Sequence, residues 1–435
     1  MTRSVVTARR KHPREISVYD RMCWPAGELE RALATGAHAR ELAAYLGEGE
    51  YEVLHALARA SAKARINRAL PHVYLLPGIM GSQLGHWHPV GQAADLLWLD
   101  PSDIVRGRLA ELRWGADTAL EPLGGIVYSY LALKLRLQAA GFSVVLYDYD
   151  WRQDLRVLAA QLSTRLRADS RGPLALVGHS MGGLLARAAL AHCAADGSGA
   201  RITHVVGLGT PHGGALAAVQ ALRGVYPVVC RLAALDPKHS AGDLSRDVFG
   251  SFMSVYQLLP QQAGGLDLFN PRSWPRGAGP DVTLLRAARD LGAQLAPADA
   301  RFFSIIGTGQ RTVTGIERRG GQFHYEISAA GDGTVAAVHA TLPGARNFYL
   351  RCEHSELPRT ELVANAIGDL LRSGRTRRLP QRVVVGRGRY AHVSDTQLRR
   401  AFAHKIDWHA LRTAERRRYF ARLNAPPPLY WPSPR

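Results

Sequence analysis

Residues 174–187 read LALVGHSMGGLLAR, which is a short apolar run, a glycine-containing turn and the start of an apolar helical pattern. The segment from Gly178 to Gly182 fits the pattern G-x-S-x-G, which holds a serine on a strained turn between a strand and a helix. The strand pattern and the helix pattern are both in place around this turn. The sequence therefore predicts that Ser180 is a nucleophile rather than an inert turn serine, and that Gly178, His179 and Gly182 shape its turn.

Six short apolar runs recur after residue 71, and stretches with helical periodicity separate them. A run that is apolar at every position indicates a strand buried on both faces, as in a parallel sheet covered by helices. We therefore predict an α/β fold with a mostly parallel, doubly wound sheet. The predicted strands fall within residues 72–76, 142–150, 173–177, 202–208, 301–307 and 345–351.

The chain of 435 residues is longer than one hydrophobic core usually supports, about 250–300 residues, so we expect extensions around a single catalytic-sized domain. No apolar run reaches the length of a membrane-spanning helix. Long insertions beside strand ends are expected to form caps or lids. The predicted parts are a helical N-terminal extension over residues 1–70, with a helical hairpin in 25–70; a catalytic domain over 71–371, with insertions at about 84–122 and 214–300; and a basic helical C-terminal module over 372–435.

The net charge of +19 is concentrated in residues 372–435, which hold sixteen Lys and Arg residues against three Asp and Glu residues. We interpret this module as a solvated basic tail, with contact to an anionic surface as the alternative. It carries no established nucleic-acid-binding motif, so no specific nucleic acid is predicted. The four cysteines form no C-x-x-C pair and the N-terminus lacks a secretory pattern. We expect a cytoplasmic protein, with peripheral attachment to a membrane, lipid or granule surface as a variant.

A serine nucleophile needs a histidine base and a carboxylate that orients the base, and after a G-x-S-x-G turn these follow in the order serine, acid, histidine. GDGTV supplies Asp332 in a loop, and EHSELP supplies His354 just after the last predicted strand. Asp150 in YDYDWRQD is the competing acid, but it precedes the serine. Glu353 adjoins His354 and is expected to point away from it.

Two further histidines compete for the role of base. They are His212 in GTPHGG and His339 in AAVHAT, and both are more typical of structural or pocket-lining positions. We keep His212 as a candidate substrate-binding residue. Trp98 is the second such candidate, because the apolar run 96–99 suits a lid over an acyl-chain pocket, although such a run is about as often ordinary core.

An ester-cleaving serine also needs two N–H donors for the oxyanion that forms on the substrate. One is expected to be the backbone amide of Met181, directly after the serine, and the other to come from the loop after the first strand of the sheet. That loop reads LLPGIMGSQL, so Ile79 is the expected second donor. A plain glycine turn is the alternative interpretation of this loop.

Seven motifs resemble, in this order, the lecithin:cholesterol acyltransferase and lysosomal phospholipase family of α/β-hydrolases; they are PGIMGSQL, YDYDWR, GHSMGG, GTPHGG, YQLLP, GDGTV and EHSELP. The resemblance covers about residues 71–371. It implies an α/β-hydrolase that cleaves acyl esters of lipids through an acyl-serine, and in some members passes the acyl group to an alcohol. Residue by residue it implies the triad Ser180, Asp332 and His354 with oxyanion donors Ile79 and Met181, and it makes YDYDWR mainly structural.

The sequence thus predicts a serine hydrolase of the lipase or phospholipase type, with O-acyltransferase activity as a variant and a lipid or acyl ester as substrate. This chemistry requires no metal and no cofactor. Two alternatives stay open. One is an esterase or depolymerase acting on a non-lipid ester or a storage polyester, and the other is a basic-tail binding protein with a vestigial hydrolase fold.

Overall fold

The computed structural model describes residues 16–25, 27–88, 93–115, 119–194, 197–277, 279–382 and 389–430. Both ends of the chain, and with them the outer parts of the predicted N- and C-terminal modules, lie outside these ranges. The proline-rich end after residue 430 is likewise outside the described residues.

The centre of the molecule is a six-stranded sheet in which every neighbouring pair is parallel, and this confirms the predicted α/β class. Each strand overlaps one of the six apolar runs. In chain order the strands are β1 (His72–Leu76), β5 (Val144–Leu146), β6 (Leu174–His179), β7 (Ile202–Leu208), β10 (Phe302–Thr308) and β13 (Arg346–Arg351). Their spatial order is β13-β10-β7-β6-β1-β5.

Eight further strands of the described chain lie outside this sheet. Five lie at or within the two insertions, two form a hairpin after β10, and one belongs to the C-terminal module. The eight strands are β2 (Ser82–His86), β3 (Asp95–Trp98), β4 (Glu121–Gly125), β8 (Gln262–Ala263), β9 (Leu266–Asp267), β11 (Thr312–Arg319), β12 (Gln322–Ser328) and β14 (Arg389–Ser394).

The α-helices, in chain order, are α1 (Val18–Arg21), α2 (Glu28–Thr35), α3 (Ala39–Leu46), α4 (Glu48–Lys63), α5 (Pro101–Val105), α6 (Val127–Ala139), α7 (Leu155–Ala168), α8 (Met181–Ala194), α9 (Leu216–Leu222), α10 (Pro227–Leu235), α11 (Ala241–Asp243), α12 (Met253–Gln257), α13 (Val282–Ala288), α14 (Leu291–Gln294), α15 (Ala337–Ala340), α16 (Glu361–Ser373), α17 (Asp395–Ala401) and α18 (Thr413–Ala421). Short irregular turns of helix complete the connections, among them His354–Glu356 and Pro428–Tyr430.

The sheet buries both of its faces, because side chains alternate along each strand. In β1, Tyr74 and Leu76 belong to one core cluster, together with α7 and α8, whereas Val73 and Leu75 belong to a second cluster, together with α6 and α16. Helices therefore cover the sheet from both sides, as the continuous apolar runs predicted. This packing places the carboxyl ends of β6, β10 and β13 on one rim of the sheet.

The N-terminal helices form a satellite layer on α6. Buried leucines of α2, α3 and α4 pack with Leu131, Ala132 and Leu135 of α6. The expected two-helix hairpin is three helices, because Gly36 and Gly47 interrupt the helical pattern with positive φ angles of 78° and 95°. Glycine adopts such angles without the steric cost that other residues incur.

The first insertion contributes to a small antiparallel sheet of order β3-β2-β4 and contains the short helix α5. Its apolar residues Leu96, Leu97 and Trp98 are at most 2 % exposed and form part of the core. Residues 96–98 are therefore ordinary core residues, which is one of the two interpretations that the sequence left open.

The C-terminal module joins the region of the second insertion through a strand and a buried ion pair. β14 pairs with β12 and extends the β11-β12 hairpin. Asp395 follows β14, is fully buried, and accepts hydrogen bonds from Arg223 and from the hydroxyl of Tyr325. Ser394 and Gln397 form a capping box at the start of α17, as their spacing predicted.

One stretch of the described chain, Leu216–Leu235, is long and apolar enough to cross a membrane by these two criteria alone. Its residues are mostly buried within the protein, since 83 % of its most apolar window is inside. Two helices, α9 and α10, make up the stretch, and both contribute to the core.

Candidate active site

Ser180 lies on the turn between β6 and α8, and the backbone there is strained. Its φ angle is 52°, in the left-handed region that serine rarely adopts. The two glycines of the motif are required by close packing: a Cβ on Gly178 would lie 2.4 Å from the backbone of Gly182, and a Cβ on Gly182 would lie 2.3 Å from the carbonyl oxygen of Leu76. The G-x-S-x-G pattern therefore corresponds to a sharp turn that only small flanking residues permit.

Asp332 and His354 lie side by side at the rim of the sheet. His354 Nδ1 is 2.7 Å from Asp332 Oδ2, and the backbone N–H of His354 donates to the carbonyl oxygen of Asp332. The amides of Thr334 and Val335 donate to the other carboxylate oxygen, at 3.0 and 2.7 Å. Since a carboxylate only accepts, His354 carries its proton on Nδ1, and Nε2 is left with a free lone pair.

The backbone of Leu208 and Gly209 brings this pair next to the serine turn. The amide of Ser180 donates to the carbonyl oxygen of Leu208 at 2.8 Å. A Cβ on the following Gly209 would lie 2.9 Å from both Asp332 Oδ2 and His354 Nδ1. Ser180, Asp332 and His354 are each at most 7 % exposed, and the segment Leu208–Gly209 contacts both the serine turn and the Asp332–His354 pair.

His179, the residue before the serine, connects two parts of the site. Its Nε2 is 3.0 Å from the backbone carbonyl oxygen of His354, and its Nδ1 is 2.9 Å from the hydroxyl of Tyr130. Because the carbonyl can only accept, Nε2 carries the proton and Nδ1 accepts from the tyrosine. Burial, with the nearby His354 as a smaller cause, lowers the pKa of His179 well below its usual range. The imidazole is therefore neutral, as this pattern requires.

Tyr130 extends the connection to the loop that carries Ile79. Its hydroxyl oxygen accepts the backbone N–H of Gly78 at 2.9 Å, and burial raises its pKa above the usual value, so the hydroxyl stays protonated. Sequence reasoning missed this residue. Tyr130 sits in the apolar stretch YSYLALKL of α6, where an aromatic residue reads as core, and nothing in that pattern indicates its polar contact.

The amides of Ile79 and Met181 are the predicted oxyanion donors. Within the described ranges, neither N–H donates a hydrogen bond to another protein group. Met181 is the first residue of α8, where free N–H groups and the helix dipole favour negative charge. Both residues thus stay predicted donors with unused N–H groups.

Trp98 contacts the loop that carries Ile79. Its indole N–H donates to the carbonyl oxygen of Met80 at 2.9 Å, and its ring packs edge-on against Trp151. Met80 itself has a φ angle of 62°. The predicted substrate-binding residue Trp98 is therefore buried against the backbone of this loop.

His212 contacts residues of α8 and of the central sheet. Its Nδ1 is 3.4 Å from Arg187 and its Nε2 is 3.4 Å from the hydroxyl of Ser304. Burial, and secondarily the Arg187 cation, lowers the pKa of His212 to about 3. The residue also lines a cavity of ≈ 190 Å³ together with Leu184 and Phe269. Its role in substrate binding stays a prediction.

The competing acid and base residues lie in other surroundings. Asp150 forms a buried two-pronged ion pair with Arg152, which in turn donates to the carbonyl oxygen of Leu112. Glu353 is exposed. The carbonyl oxygen of His339 accepts the N–H of Gly213. The side chain of Asp150 is thus bound to Arg152, and through Arg152 it connects the chain after β5 to the first insertion.

Residues 139–276 match the family model of lecithin:cholesterol acyltransferase. The matched region includes the Ser180 turn and the GTPHGG loop, and it ends before Asp332 and His354. This confirms the resemblance inferred from the motifs over that part of the chain. Comparison with curated proteins gives no match.

Several solved structures are similar to this chain at low identity. The mature lipase BlEst2 of Bacillus licheniformis is 18 % identical, covering 71 % of this chain and 94 % of its own, with a TM-score of 0.37. The Tle4-Tli4 complex gives 14 % identity, coverage of 70 % and 98 %, and a TM-score of 0.45. Staphylococcus hyicus lipase gives 14 % identity, coverage of 70 % and 92 %, and a TM-score of 0.29. The parallel sheet and the serine turn after β6 give this chain an α/β-hydrolase fold.

Proposed function

From the lecithin:cholesterol acyltransferase pattern of residues 139–276, carried on an α/β-hydrolase fold, we propose that the protein is a serine hydrolase acting on carboxylic esters of lipids. The observation that carries the proposal is the 2.7 Å contact between His354 Nδ1 and Asp332 Oδ2, beside the strained turn of Ser180. The nucleophile Ser180, the orienting acid Asp332 and the base His354 then follow one another in the chain order typical of this fold.

In the proposed reaction, His354 Nε2 takes the hydroxyl proton of Ser180 as the serine oxygen attacks the ester carbonyl. The negative charge that develops on the carbonyl oxygen is stabilised by the free amides of Ile79 and Met181. His354 then gives its proton to the leaving alcohol, and the acyl group stays on Ser180. Asp332 holds the imidazole in the tautomer that this sequence of transfers requires.

The second half of the reaction releases the acyl group from Ser180. His354 activates water for hydrolysis, or an acceptor alcohol for O-acyl transfer. The two outcomes use the same groups and differ in which molecule occupies the space next to Nε2. We propose hydrolysis of a lipid ester as the main activity and transfer to an alcohol as its variant.

Two alternatives remain from the sequence. A non-lipid ester or a storage polyester would be cleaved by the same groups, so the choice of substrate depends on the surrounding pocket. A basic-tail binding protein would not need the aligned pair Asp332 and His354, and this pair favours the enzyme. A cytoplasmic location also stays part of the proposal.

We further propose that the C-terminal module makes peripheral contact with an anionic surface. Part of its charge is already used within the protein, because Arg416 and Arg417 donate to the carbonyl oxygens of Trp408 and Ala44. Arg400 of α17 is exposed, and so is Arg399, which also donates to the carbonyl oxygen of Arg223. Sedimentation with anionic and with zwitterionic vesicles at rising salt tests this contact; binding that is equal on both vesicle types would contradict it.

A fluorophosphonate probe tests the nucleophile directly. We expect covalent labelling of one peptide that contains Ser180, and its loss in Ser180→Ala. The labelling should compete with long-chain p-nitrophenyl esters more strongly than with acetate if the substrate is a lipid. Labelling that persists in the alanine variant would overturn the assignment of Ser180.

A further inference from the structure

Asn424, which follows α18 near the end of the described chain, bridges two residues of the hydrolase region. Its side-chain oxygen accepts the hydroxyl of Tyr226 at 2.6 Å, and its side-chain NH₂ group donates to the hydroxyl of Thr334 at 2.7 Å. All three side chains are half-buried. Both contacts are short for hydrogen bonds of their type.

Thr334 connects this bridge to the acid of the proposed triad. Its own backbone amide donates to Asp332 Oδ1 at 3.0 Å, while Asp332 Oδ2 faces His354. The side chain of Thr334 is thus held by Asn424, and its backbone holds the carboxylate. A chain of three hydrogen bonds runs from the C-terminal module to the imidazole of His354.

The segment around Asn424 is fixed by neighbouring contacts as well. The carbonyl oxygen of Leu423 accepts a hydrogen bond from Arg231, and the hydroxyl of Tyr430 accepts one from the buried Gln220. These contacts hold the segment against the second insertion, on the side of Asp332. Asn424 lies outside the region matched by the family model, which ends at residue 276.

We propose that Asn424 is a positioning residue for Asp332, so that the basic C-terminal module is part of the catalytic apparatus as well as a charged appendage. Asn424 acts through Thr334 and does not take part in proton transfer itself. The inference rests on the proposed function for the role of Asp332, but the contact between Asn424 and the loop of Asp332 can be measured without any substrate.

A double-mutant cycle tests the proposal. Asn424→Ala and Thr334→Val each remove one side of the same hydrogen bond, and each should lower kcat for a soluble ester by about threefold to tenfold with little change in KM. The double variant should lose no more than Asn424→Ala alone, because Thr334→Val then has nothing further to break. Thr334→Ser keeps the hydroxyl and should retain most of the kcat.

Lys405→Met is the matched control. It weakens the attachment of the C-terminal module to the rest of the protein without touching the contact between Asn424 and Thr334. Lys405 anchors the same module elsewhere, by donating to the carbonyl oxygens of Ala233, Asp236 and His239. We expect its kcat to stay within about twofold of the wild type. An equal loss of kcat in this variant, or additive losses in the cycle, would overturn a specific role for Asn424.

Amide hydrogen exchange separates the proposal from the proposed enzyme activity. In Asn424→Ala, the peptide covering residues 331–336 should exchange faster than in the wild type. The amides of Thr334 and Val335 donate to the carboxylate of Asp332, and their loop is held less firmly once Asn424 no longer binds Thr334. Lys405→Met should leave that peptide unchanged. Unchanged exchange in Asn424→Ala overturns the positioning role, whereas faster exchange in a protein that cleaves no ester supports the contact and contradicts the proposed function alone.

Discussion

The imidazole Nε2 of His179 lies 3.0 Å from the backbone carbonyl oxygen of His354, although the two residues are 175 positions apart. This contact joins the serine turn to the loop of the proposed base. On its other side His179 contacts Tyr130, which accepts the amide of Gly78. One buried imidazole therefore links the three loops that carry the proposed nucleophile, the proposed base and a proposed oxyanion donor.

Tyr130→Phe should lower kcat by about tenfold, since the phenylalanine keeps the packing of α6 but removes the hydroxyl between Gly78 and His179. The loop that carries Ile79 then loses a fixed contact, and the buried amide of Gly78 loses its acceptor. The unfolding free energy should also fall, by about 1–3 kcal/mol. Steady-state kinetics with a short-chain ester and urea denaturation measure the two effects.

Tyr128→Phe is the matched control on the same helix. The hydroxyl of Tyr128 donates to the carbonyl oxygen of Tyr45 in the N-terminal helices, away from the site. Its kcat should equal that of the wild type. If Tyr128→Phe and Tyr130→Phe lowered kcat equally, the effect would belong to α6 packing and not to the link through His179.

Gly182→Ala should unfold or strongly destabilise the protein. The added Cβ would lie 2.3 Å from the carbonyl oxygen of Leu76, and backbone atoms of a central strand cannot move aside cheaply. We expect a loss of at least about 2 kcal/mol in the free energy of unfolding. Gly172→Ala is the control, because a Cβ there meets nothing within 4 Å. Thermal unfolding compares the two; similar melting temperatures would contradict the tight turn.

The stability of the protein should decrease as the pH falls below about 6.5, partly because of His212. Its folded pKa of about 3 lies below the value of an unfolded histidine, so between these two pH values the unfolded chain binds a proton that the folded chain does not. Each such histidine costs about 1.4 kcal/mol of stability per pH unit in that window. His212→Asn should therefore give a shallower decrease between pH 6.5 and 4.5, measured by urea denaturation.

His409→Asn is the control for this pH experiment, since His409 is exposed. Its pH dependence should match that of the wild type. A slope that is unchanged in His212→Asn would show that His212 becomes protonated in the folded protein.

The central sheet could be predicted from the sequence because each of its strands is buried on both faces. Continuous apolar runs such as HVYLL identified β1, and its observed bounds agree with the prediction. The carboxyl ends of parallel strands meet at one rim, which made Asp332 and His354 the expected partners of Ser180. The structure places the two side by side.

The antiparallel strands could not be predicted in this way. β2 reads SQLGH, which is neither continuously apolar nor alternating, and it is held by pairing with β3 and β4. β12 reads QFHYEIS, whose alternating burial and preceding Gly320-Gly321 turn are typical of a hairpin with β11; sequence reasoning missed this signal. The link through Tyr130 was missed for a related reason. A tyrosine on an apolar helix face is usually core, and its hydrogen bond depends on loops that only the folded chain brings near. The contact of Asn424 with Thr334 likewise joins segments 90 residues apart.

The most direct test of the proposed function is the hydrolysis of p-nitrophenyl esters from acetate to palmitate by the wild type and by Ser180→Ala. The account predicts turnover that rises with acyl length in the wild type and falls by at least about a thousandfold in the variant, with unchanged folding. Equal turnover by both proteins, or none by the wild type at any chain length, would contradict it.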